Sequence, residues 1–295
     1  MSTDRAERYR ASMMPHRYGY ALFEPQTFAR LRPGMLGFLD EYRRWHPLLD
    51  LSDPIAVEAA GCDAIQKQIL SDPDTRAWGP LESSTVTSND VHLGGEVDAL
   101  SLGLPVDIGG AVEYSTATDF GAILMCDDKV ESQGFDEREP FLDWLKRNSK
   151  AVLARWPDVK KYGVIATTWT YSASKIYIQV WNDASKTVTL GFKLGATGIG
   201  GLEPETSWHR AHATTGWSRW DDEKRVVFFT GVKIKYNLFG NHEQAEKKWR
   251  GDNNKEFLVL GLEGEQFATA NVDHFGDSYE QIKSERDAQL EASRS

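Results

Sequence analysis

Residues 100–126 read LSLGLPVDIGGAVEYSTATDFGAILMC, and this stretch constrains the fold more strongly than any other. Apolar side chains take the even positions as far as Tyr114, and small or acidic side chains take most of the odd ones. Because successive side chains of a strand point to opposite faces, the pattern predicts a long strand with one apolar face. A Ser/Thr-rich turn follows, and the same parity resumes toward Cys126. The stretch therefore predicts a long β-hairpin.

Two interpretations of this hairpin stay open. Alternation of this kind is the ordinary mark of a half-buried strand in a soluble protein. The run is nevertheless longer than the usual strand of about 5–6 residues, and a membrane-crossing strand needs only roughly 9–11. The side chains that would face lipid are Leu100, Leu102, Leu104, Val106, Ile108, Val112, Tyr114, Phe120 and Leu124.

A second amphipathic hairpin is predicted over residues 175–199. Ile176, Ile178 and Val180 share one side of its first strand, and the turn residues 182–185 join the two strands. Its second strand places another apolar set on one side, namely Val188, Leu190, Phe192 and Leu194.

Further strands are predicted on both sides of these hairpins. Residues 31–51 predict a hairpin and residues 163–171 a strand rich in Thr, Val and Ile. Residues 226–239 predict a last strand, in which Lys233 and Lys235 face away from the apolar side chains. Together these elements predict an α+β fold with a strongly twisted, mostly antiparallel sheet and flanking helices.

Three segments complete the predicted elements. Residues 141–156 predict an amphipathic helix, with Pro140 in its first turn and Pro157 after its end. Residues 56–70 predict a modest helix, and residues 71–90 resemble a loop because Pro, Gly, Ser and Asp are frequent there.

The composition narrows the class of protein. The chain has 295 residues, a net charge of −10 and a mean hydropathy of −0.49, which together predict a soluble protein that does not bind nucleic acid. No apolar run is long enough for a membrane helix, and no signal peptide is apparent. Cys62 and Cys126 provide no disulfide framework, which indicates a reducing compartment.

Six cations are concentrated at and after the predicted helix: Lys146, Arg147, Lys150, Arg155, Lys160 and Lys161. A solvated helix face is the commonest role for such charges. Near an anionic membrane surface, however, each cation contributes about 1 kcal/mol of binding free energy. The cluster is therefore a candidate lipid-binding site.

No motif for catalysis, a metal or a cofactor is complete. His209 and His212 have a spacing found in metal sites, but no carboxylate lies in register with them. The glycines of residues 195–201 do not follow the order of a nucleotide-binding loop. The sequence contains no G-x-S-x-G, and neither cysteine has the surroundings of a nucleophile. The sequence thus predicts a protein that is not an enzyme and has no cofactor.

Residues 241–295 differ in character from the rest of the chain. They carry 7 basic and 12 acidic side chains and begin with a polar stretch that resembles an exposed linker. A short apolar run follows, and residues 278–292 predict a short helix. The apolar run consists of Phe257, Leu258, Val259, Leu260 and Leu262, too few side chains to fold alone, so we expect them to be buried against residues 1–240.

The order of these segments resembles the amino-terminal domain of gasdermins, and in particular that of fungal gasdermin-like proteins. The resemblance covers roughly residues 31–239 and depends on the order of several segments rather than on one signature motif. The segments are HPLLDLSD at 46–53, LGGEV at 93–97 through VEY at 112–114, GVIATTWT at 163–170 and RVVFF at 225–229.

The resemblance implies an autoinhibited pore-forming protein of regulated, pyroptosis-like cell death and fungal immunity. In such proteins residues corresponding to 1–240 form the pore-forming domain, and a tail corresponding to 241–295 inhibits it. A protease removes the tail, and the released domain binds acidic phospholipid membranes, oligomerises and inserts as a β-barrel. The chain would then be cytoplasmic and monomeric or dimeric at rest, and would act at the plasma membrane or other membranes after cleavage.

The position of the cut is predicted from the linker. Lys247, Lys248 and Arg250 offer basic residues to a protease that cuts after Arg or Lys, and the bond between Arg250 and Gly251 is the first choice. Two other functions stay open. One is a cytosolic β-rich protein that binds an apolar small molecule, and the other is an enzyme of specialised metabolism with a pocket of Trp and His side chains.

Overall fold

The computed structural model describes residues 3–91, 93, 96–102, 104–105, 108–194, 206–210, 216–239, 256–259 and 267–276. Its helices are α1 (Thr3–Met13), α2 (Pro54–Ala59), α3 (Glu96–Ser101), α4 (Glu139–Arg155) and α5 (Val159–Tyr162). Its strands are β1 (Tyr20–Thr27), β2 (Met35–Leu39), β3 (Trp45–Asp50), β4 (Asp74–Arg76), β5 (Leu81–Glu82), β6 (Val86–Val91), β7 (Gly110–Thr116), β8 (Gly121–Cys126), β9 (Val130–Gly134), β10 (Val164–Ala173), β11 (Ile176–Trp181), β12 (Val188–Leu194), β13 (Thr206–Arg210), β14 (Ser218–Trp220), β15 (Arg225–Phe239), β16 (Glu256–Val259) and β17 (Phe267–Phe275).

Within the described residues the strands form three sheets, and every pairing is antiparallel. Sheet A follows the order β16-β17-β15-β10-β2-β3, with β1, β9 and β4 attached to it. Sheet B follows the order β14-β11-β8-β5, and sheet C follows β13-β12-β7-β6. Because the strands form antiparallel sheets with helices packed beside them, the predicted α+β class is confirmed.

Helix α4 forms as the sequence predicts and covers sheet A. Pro140 occupies the first turn, where the missing N–H costs nothing. Phe141, Leu145 and Val152 are fully buried and pack against Val164 of β10 and Val232 of β15, among other side chains. The main core of the molecule therefore lies between this helix and sheet A.

Sheets B and C pack face to face. Tyr114 and Leu190 of sheet C form one apolar cluster with Ile123, Met125 and Tyr177 of sheet B. The opposite face of β8 packs on α1 and β1, so β8 is buried on both sides. Sheet B is consequently the middle layer of this half of the molecule.

The prediction of two long hairpins is wrong. Strands β7, β8, β11 and β12 form, but β7 does not pair with β8 and β11 does not pair with β12. Strand β7 pairs with β6 and β12, whereas β8 pairs with β5 and β11. Strands β11 and β12 likewise belong to sheets B and C. The short links at 117–120 and 182–187 carry the chain from one layer to the other, which a local turn pattern does not reveal.

The predicted strand from residue 100 to 108 is also wrong in this structure. Leu100 belongs to α3, and Leu102, Leu104 and Ile108 lie on the connection to β7, where they surround Ala111. Pro105 lies in this connection, and proline cannot donate a ladder hydrogen bond within a sheet. The apolar side chains at the even positions of this segment therefore belong to a short helix and to a packed connection, and not to a strand.

Shorter predictions have mixed outcomes. The hairpin at 31–51 is confirmed as β2 and β3, and the strands at 163–171 and 226–239 are confirmed as β10 and β15. The helix predicted at 56–70 is wrong in length, because it ends at Ala59 and is followed by Gly61 with a φ of +72°. The segment at 71–90 contains three strands, which pair with distant partners.

The last described strand joins sheet A. Strand β17 pairs with residues 231–239 of β15, and β16 pairs with β17. Strand β1 pairs with an earlier part of the same strand, at residues 225–229 of β15. The two strands meet where Tyr20 stacks on Phe275 with ring centroids 5.2 Å apart. Among the described helices, none has both the length and the apolar character that a membrane-spanning helix requires.

Candidate anion-binding surface

The cations predicted as a lipid-binding cluster lie on two helices. Lys146, Arg147 and Lys150 are exposed on α4, on the side away from its buried residues, and Arg155 is exposed in its last turn. Lys146 and Arg147 line an open surface depression together with Asp143 and the backbone region at 64–66. Lys146, Arg147 and Lys150 form one basic helix face that faces solvent, and Arg155 lies outside this face.

The remaining two predicted cations line a different depression, the basic cleft. Its cationic side chains come from the turn between β2 and β3, from α5 and from β15: Arg43, Lys160, Lys161, Lys233 and Lys235. Asp40, Glu41, Tyr162 and Tyr236 also line it, and its volume is about 380 Å³. Five cations thus converge on one concave surface with two carboxylates.

Ion pairs fix the wall that carries the β2–β3 turn. Glu41 pairs with Lys161 and accepts a hydrogen bond from the Tyr162 hydroxyl at 2.9 Å. The Lys161 ammonium, followed by the Tyr162 hydroxyl, lowers the pKa of Glu41. On the other side Arg43 pairs with Glu7 of α1 at 2.9 Å. The turn is therefore held between α1 and α5, and two of the five cations already have carboxylate partners.

Lys233 is the cation of the basic cleft whose pKa is clearly lowered. Its burial, and then the positive charges of Lys235 and Arg43, lower its pKa from 10.5 to about 8. An anion that enters the cleft would compensate both the burial and the repulsion. The arrangement is suited to binding a phosphate or carboxylate group, because several donors converge where no single carboxylate neutralises them all.

The strand β17 borders this cleft from the carboxyl-terminal side. Asp273 lies directly opposite Lys233 in the register, and Asn271 lies opposite Lys235. The Lys233 ammonium also lies 5.8 Å from the centre of the Phe275 ring. Any displacement of β17 would therefore change the surroundings of both lysines.

The predicted membrane-facing positions on β7 and β12 share a single face of sheet C. Tyr114 is paired with Val188, Val112 with Leu190 and Gly110 with Phe192, so the apolar parity of both strands coincides. This inner face packs on sheet B. The outer face has one polar row, with Asn89 and Thr189 on either side of Glu113, and one apolar row of Val91, Ala111 and Gly191, against which Leu104 and Ile108 pack. Sheet C is thus amphipathic across its central strands.

Phe120 and Leu124 do not belong to that face. Both are buried against α1 in the cluster on the far side of sheet B. Leu194 is the last described residue of β12 and pairs with Thr206. Val106 lies outside the described residues.

Part of the predicted tail also lies outside them. Arg250, Gly251, Leu260 and Leu262 are not described, nor is the helix predicted at 278–292. Phe257, Leu258 and Val259 lie on β16. The division at residue 240 and the inhibitory role of the tail stay predictions.

Sequence reasoning missed half of the basic cleft. Arg43 is more than a hundred residues from Lys160 in the chain, and the fold brings them together. The alternation of Lys233 and Lys235 on β15 was the available signal, because it places both ammonium groups on the face opposite the apolar side chains.

The comparisons with known proteins include a distant structural likeness. No family model matches the chain, and no curated protein matches it. One similar solved structure is that of a bacterial gasdermin from Bradyrhizobium tropiciagri, with 11% sequence identity and a TM-score of 0.32. The similarity covers 76% of this chain and 85% of that one. This neighbour is bacterial and offers no support for the fungal subgroup named from the sequence.

Of the two histidines whose spacing resembles that of metal ligands, only one lies within the described residues. His209 lies on β13, opposite Gly191 of β12, and His212 lies outside the described residues. Within the described part of the chain, no group of three or more His, Cys, Asp or Glu side chains is arranged to hold a metal ion.

Proposed function

We propose that the chain is an autoinhibited, gasdermin-like pore-forming protein of regulated cell death. The observation that carries this proposal is sheet C, in which two antiparallel strand pairs, β6–β7 and β12–β13, lie side by side and the two central strands, β7 and β12, share one apolar face. A membrane barrel needs strands of this kind, with one lipid face and one polar face. Its inner face now packs on sheet B and would turn to lipid after activation.

Lengthening of these hairpins is part of the proposal. Strands β7 and β12 have seven residues each, and a tilted membrane strand needs roughly 9–11. The segment before β7 continues its apolar parity through Ile108, Leu104 and Leu102. Conversion of α3 and its connection into strand would therefore extend the lipid face without a change of register.

The basic surface would supply the attraction to acidic phospholipids. The exposed face of α4 and the basic cleft carry the six predicted cations together with Arg43, Lys233 and Lys235. At about 1 kcal/mol per cation near an anionic surface, a few such contacts suffice for reversible membrane binding.

Inhibition is assigned to residues 241–295, whose strand β17 occupies one edge of β15 and borders the cleft. A protease that cuts the linker, with Arg250–Gly251 as the favoured bond, would allow this strand to leave. The released domain would then oligomerise on the plasma membrane or another cell membrane, whereas the uncut chain would stay cytoplasmic as a monomer or dimer. No enzymatic step is needed.

The test is dye leakage from liposomes with the purified chain before and after limited trypsin digestion. We expect leakage from vesicles that contain anionic phospholipid only after digestion, and little from neutral vesicles. A stable fragment that binds neither vesicle type and causes no leakage would contradict the proposal. That result would favour the alternative of a small-molecule-binding protein or an enzyme.

A further inference from the structure

A second concave site lies between α2, α4 and the irregular segment at 62–70, which we call the strap. This apolar pocket has a volume of about 330 Å³, within the usual range for ligand sites. Leu51, Val57, Ile65, Phe135 and Phe141 line it. Three of these side chains belong to the buried core, so the pocket has a rigid apolar floor.

Apolar side chains that folding does not bury are neighbours of the lining residues in the chain. Ile55 follows the lining residue Pro54 and is 79% exposed. Ile69 and Leu70 follow the lining residue Gln68 and are 86% and 43% exposed. Exposed large aliphatic side chains in one region of a surface are typical of a binding surface.

The charge at the mouth indicates the polar end of the ligand. Of the described residues that line the pocket, Lys67 alone is charged. Ser52 and Gln68 are the other lining residues with polar side chains. An apolar pocket with one exposed lysine in its lining is complementary to a hydrocarbon chain that ends in an anionic group.

We propose that this pocket binds the hydrocarbon chain of a single-chain anionic amphiphile, such as a fatty acid, with its carboxylate beside Lys67. The strap forms one wall and has no ladder hydrogen bonds along residues 62–70, so it can adjust to chains of different length. This inference does not depend on pore formation, since it concerns the uncut chain in the absence of any membrane.

The experiment is calorimetric titration of the full chain with octanoate, decanoate and dodecanoate below their micelle concentrations. We expect one saturable site and about a fourfold gain in affinity per added methylene until the pocket is filled. Lys67→Glu should weaken decanoate binding at least tenfold and change binding of the neutral 1-decanol less than threefold. Lys129→Glu, which alters an exposed lysine elsewhere, should leave both unchanged.

Occupancy of the apolar pocket itself is tested by Ala64→Trp, which enlarges an exposed lining residue. We expect it to weaken decanoate and 1-decanol alike, by at least tenfold, with an unchanged circular dichroism spectrum. Photo-crosslinking of the unaltered chain with a diazirine-labelled decanoate provides a second measurement, and the label should appear in residues 51–68 or 135–141. Absence of saturable binding, labelling elsewhere, or equal losses in Lys129→Glu and Lys67→Glu would overturn the inference.

Discussion

The fold lowers the pKa of Lys233, whereas the proposed binding of anionic lipid uses the positive charge of this side chain. Its ammonium is taken from water and placed near Lys235 and Arg43, and the pKa falls to about 8. Because the unfolded chain holds this proton up to about pH 10.5, the folded chain binds fewer protons between these two values. Stability should therefore rise with pH across that interval.

The Lys233→Met variant tests how much the buried positive charge of Lys233 destabilises the folded chain. It should unfold at a higher urea concentration than the natural chain at pH 7, by at most about 3 kcal/mol in free energy, since one pKa unit corresponds to about 1.4 kcal/mol. The difference should shrink between pH 8 and pH 9.5, measured by urea titration at each pH. A difference that is constant with pH would mean that packing alone distinguishes the two side chains.

Gly163 is a residue at which any other side chain would be strained. It joins α5 to β10 at a φ of +72°, and an added Cβ would lie 2.4 Å from the Ile234 oxygen. Gly61 has the same φ but open space around the same position. Left-handed backbone costs other residues about 1–2 kcal/mol, so Gly61→Ala should lose about that much.

Gly163→Ala should lose at least about 1 kcal/mol more than Gly61→Ala, because the carbonyl clash adds to the backbone cost. Thermal and urea unfolding of the two variants measure the difference. Equal losses would show that β15 moves aside at this point, and with it the wall of the basic cleft.

Among the elements, helix α4 has one face that packs in the core and an opposite, exposed face that carries cations. Its buried face holds the core, so substitutions on the exposed face should leave the fold intact. The combined change of Lys146, Arg147 and Lys150 to Gln should weaken binding of the activated chain to anionic vesicles by about 3 kcal/mol, or roughly 100-fold. Sedimentation with vesicles measures this.

The matched control changes three other lysines, Lys129, Lys175 and Lys186, which lie between strands on a different part of the surface. It removes the same charge but should weaken vesicle binding much less. If both triple variants lose the same affinity, binding follows net charge, and the α4 face has no special role.

Elements with a local cause were predictable from the sequence. Pro140 and Pro157 bound the helix between them, and the β2–β3 hairpin closes through a five-residue turn in which the Asp40 carboxylate accepts from two backbone N–H groups. The layer to which a strand belongs was not predictable. Strands β7 and β8 are separated by four residues, yet their partners are 50 or more residues away in β12 and β11.

The candidate anion-binding surface was predictable to a similar extent. Lys146, Arg147 and Lys150 are neighbours in the chain, and helical periodicity places them on one face of α4. The basic cleft depends on the distance between Arg43, Lys160 and Lys233, which only the packing of α5 against β15 and β2 determines.

For the whole molecule, the described strands of residues 241–295, β16 and β17, are part of sheet A. Strand β17 pairs with nine consecutive residues of β15, so its removal would expose a row of unpaired backbone groups. A chain that ends at Arg250 lacks this strand. We expect it to oligomerise and to permeabilise anionic vesicles without digestion, and to be toxic when expressed in cells.

A chain that ends at Gly276 separates two explanations of that toxicity. It retains β16 and β17 but lacks the last 19 residues, and it should be inactive if strand pairing provides the inhibition. Toxicity of both shortened chains would assign inhibition to residues 277–295. A soluble, monomeric and harmless chain ending at Arg250 would remove the main support for an inhibitory tail.

The position of β17 at the end of the chain has a consequence for biosynthesis. The ribosome completes β15 at Phe239 and must add 36 further residues before Phe275 exists to close that edge. At about 5–20 residues per second this interval lasts roughly 2–7 s. Every nascent chain therefore passes through a form in which the proposed inhibitory strand has not yet been made, and neighbouring ribosomes on one message present such forms close together. Slow translation of the codons for residues 240–275 would prolong that exposure.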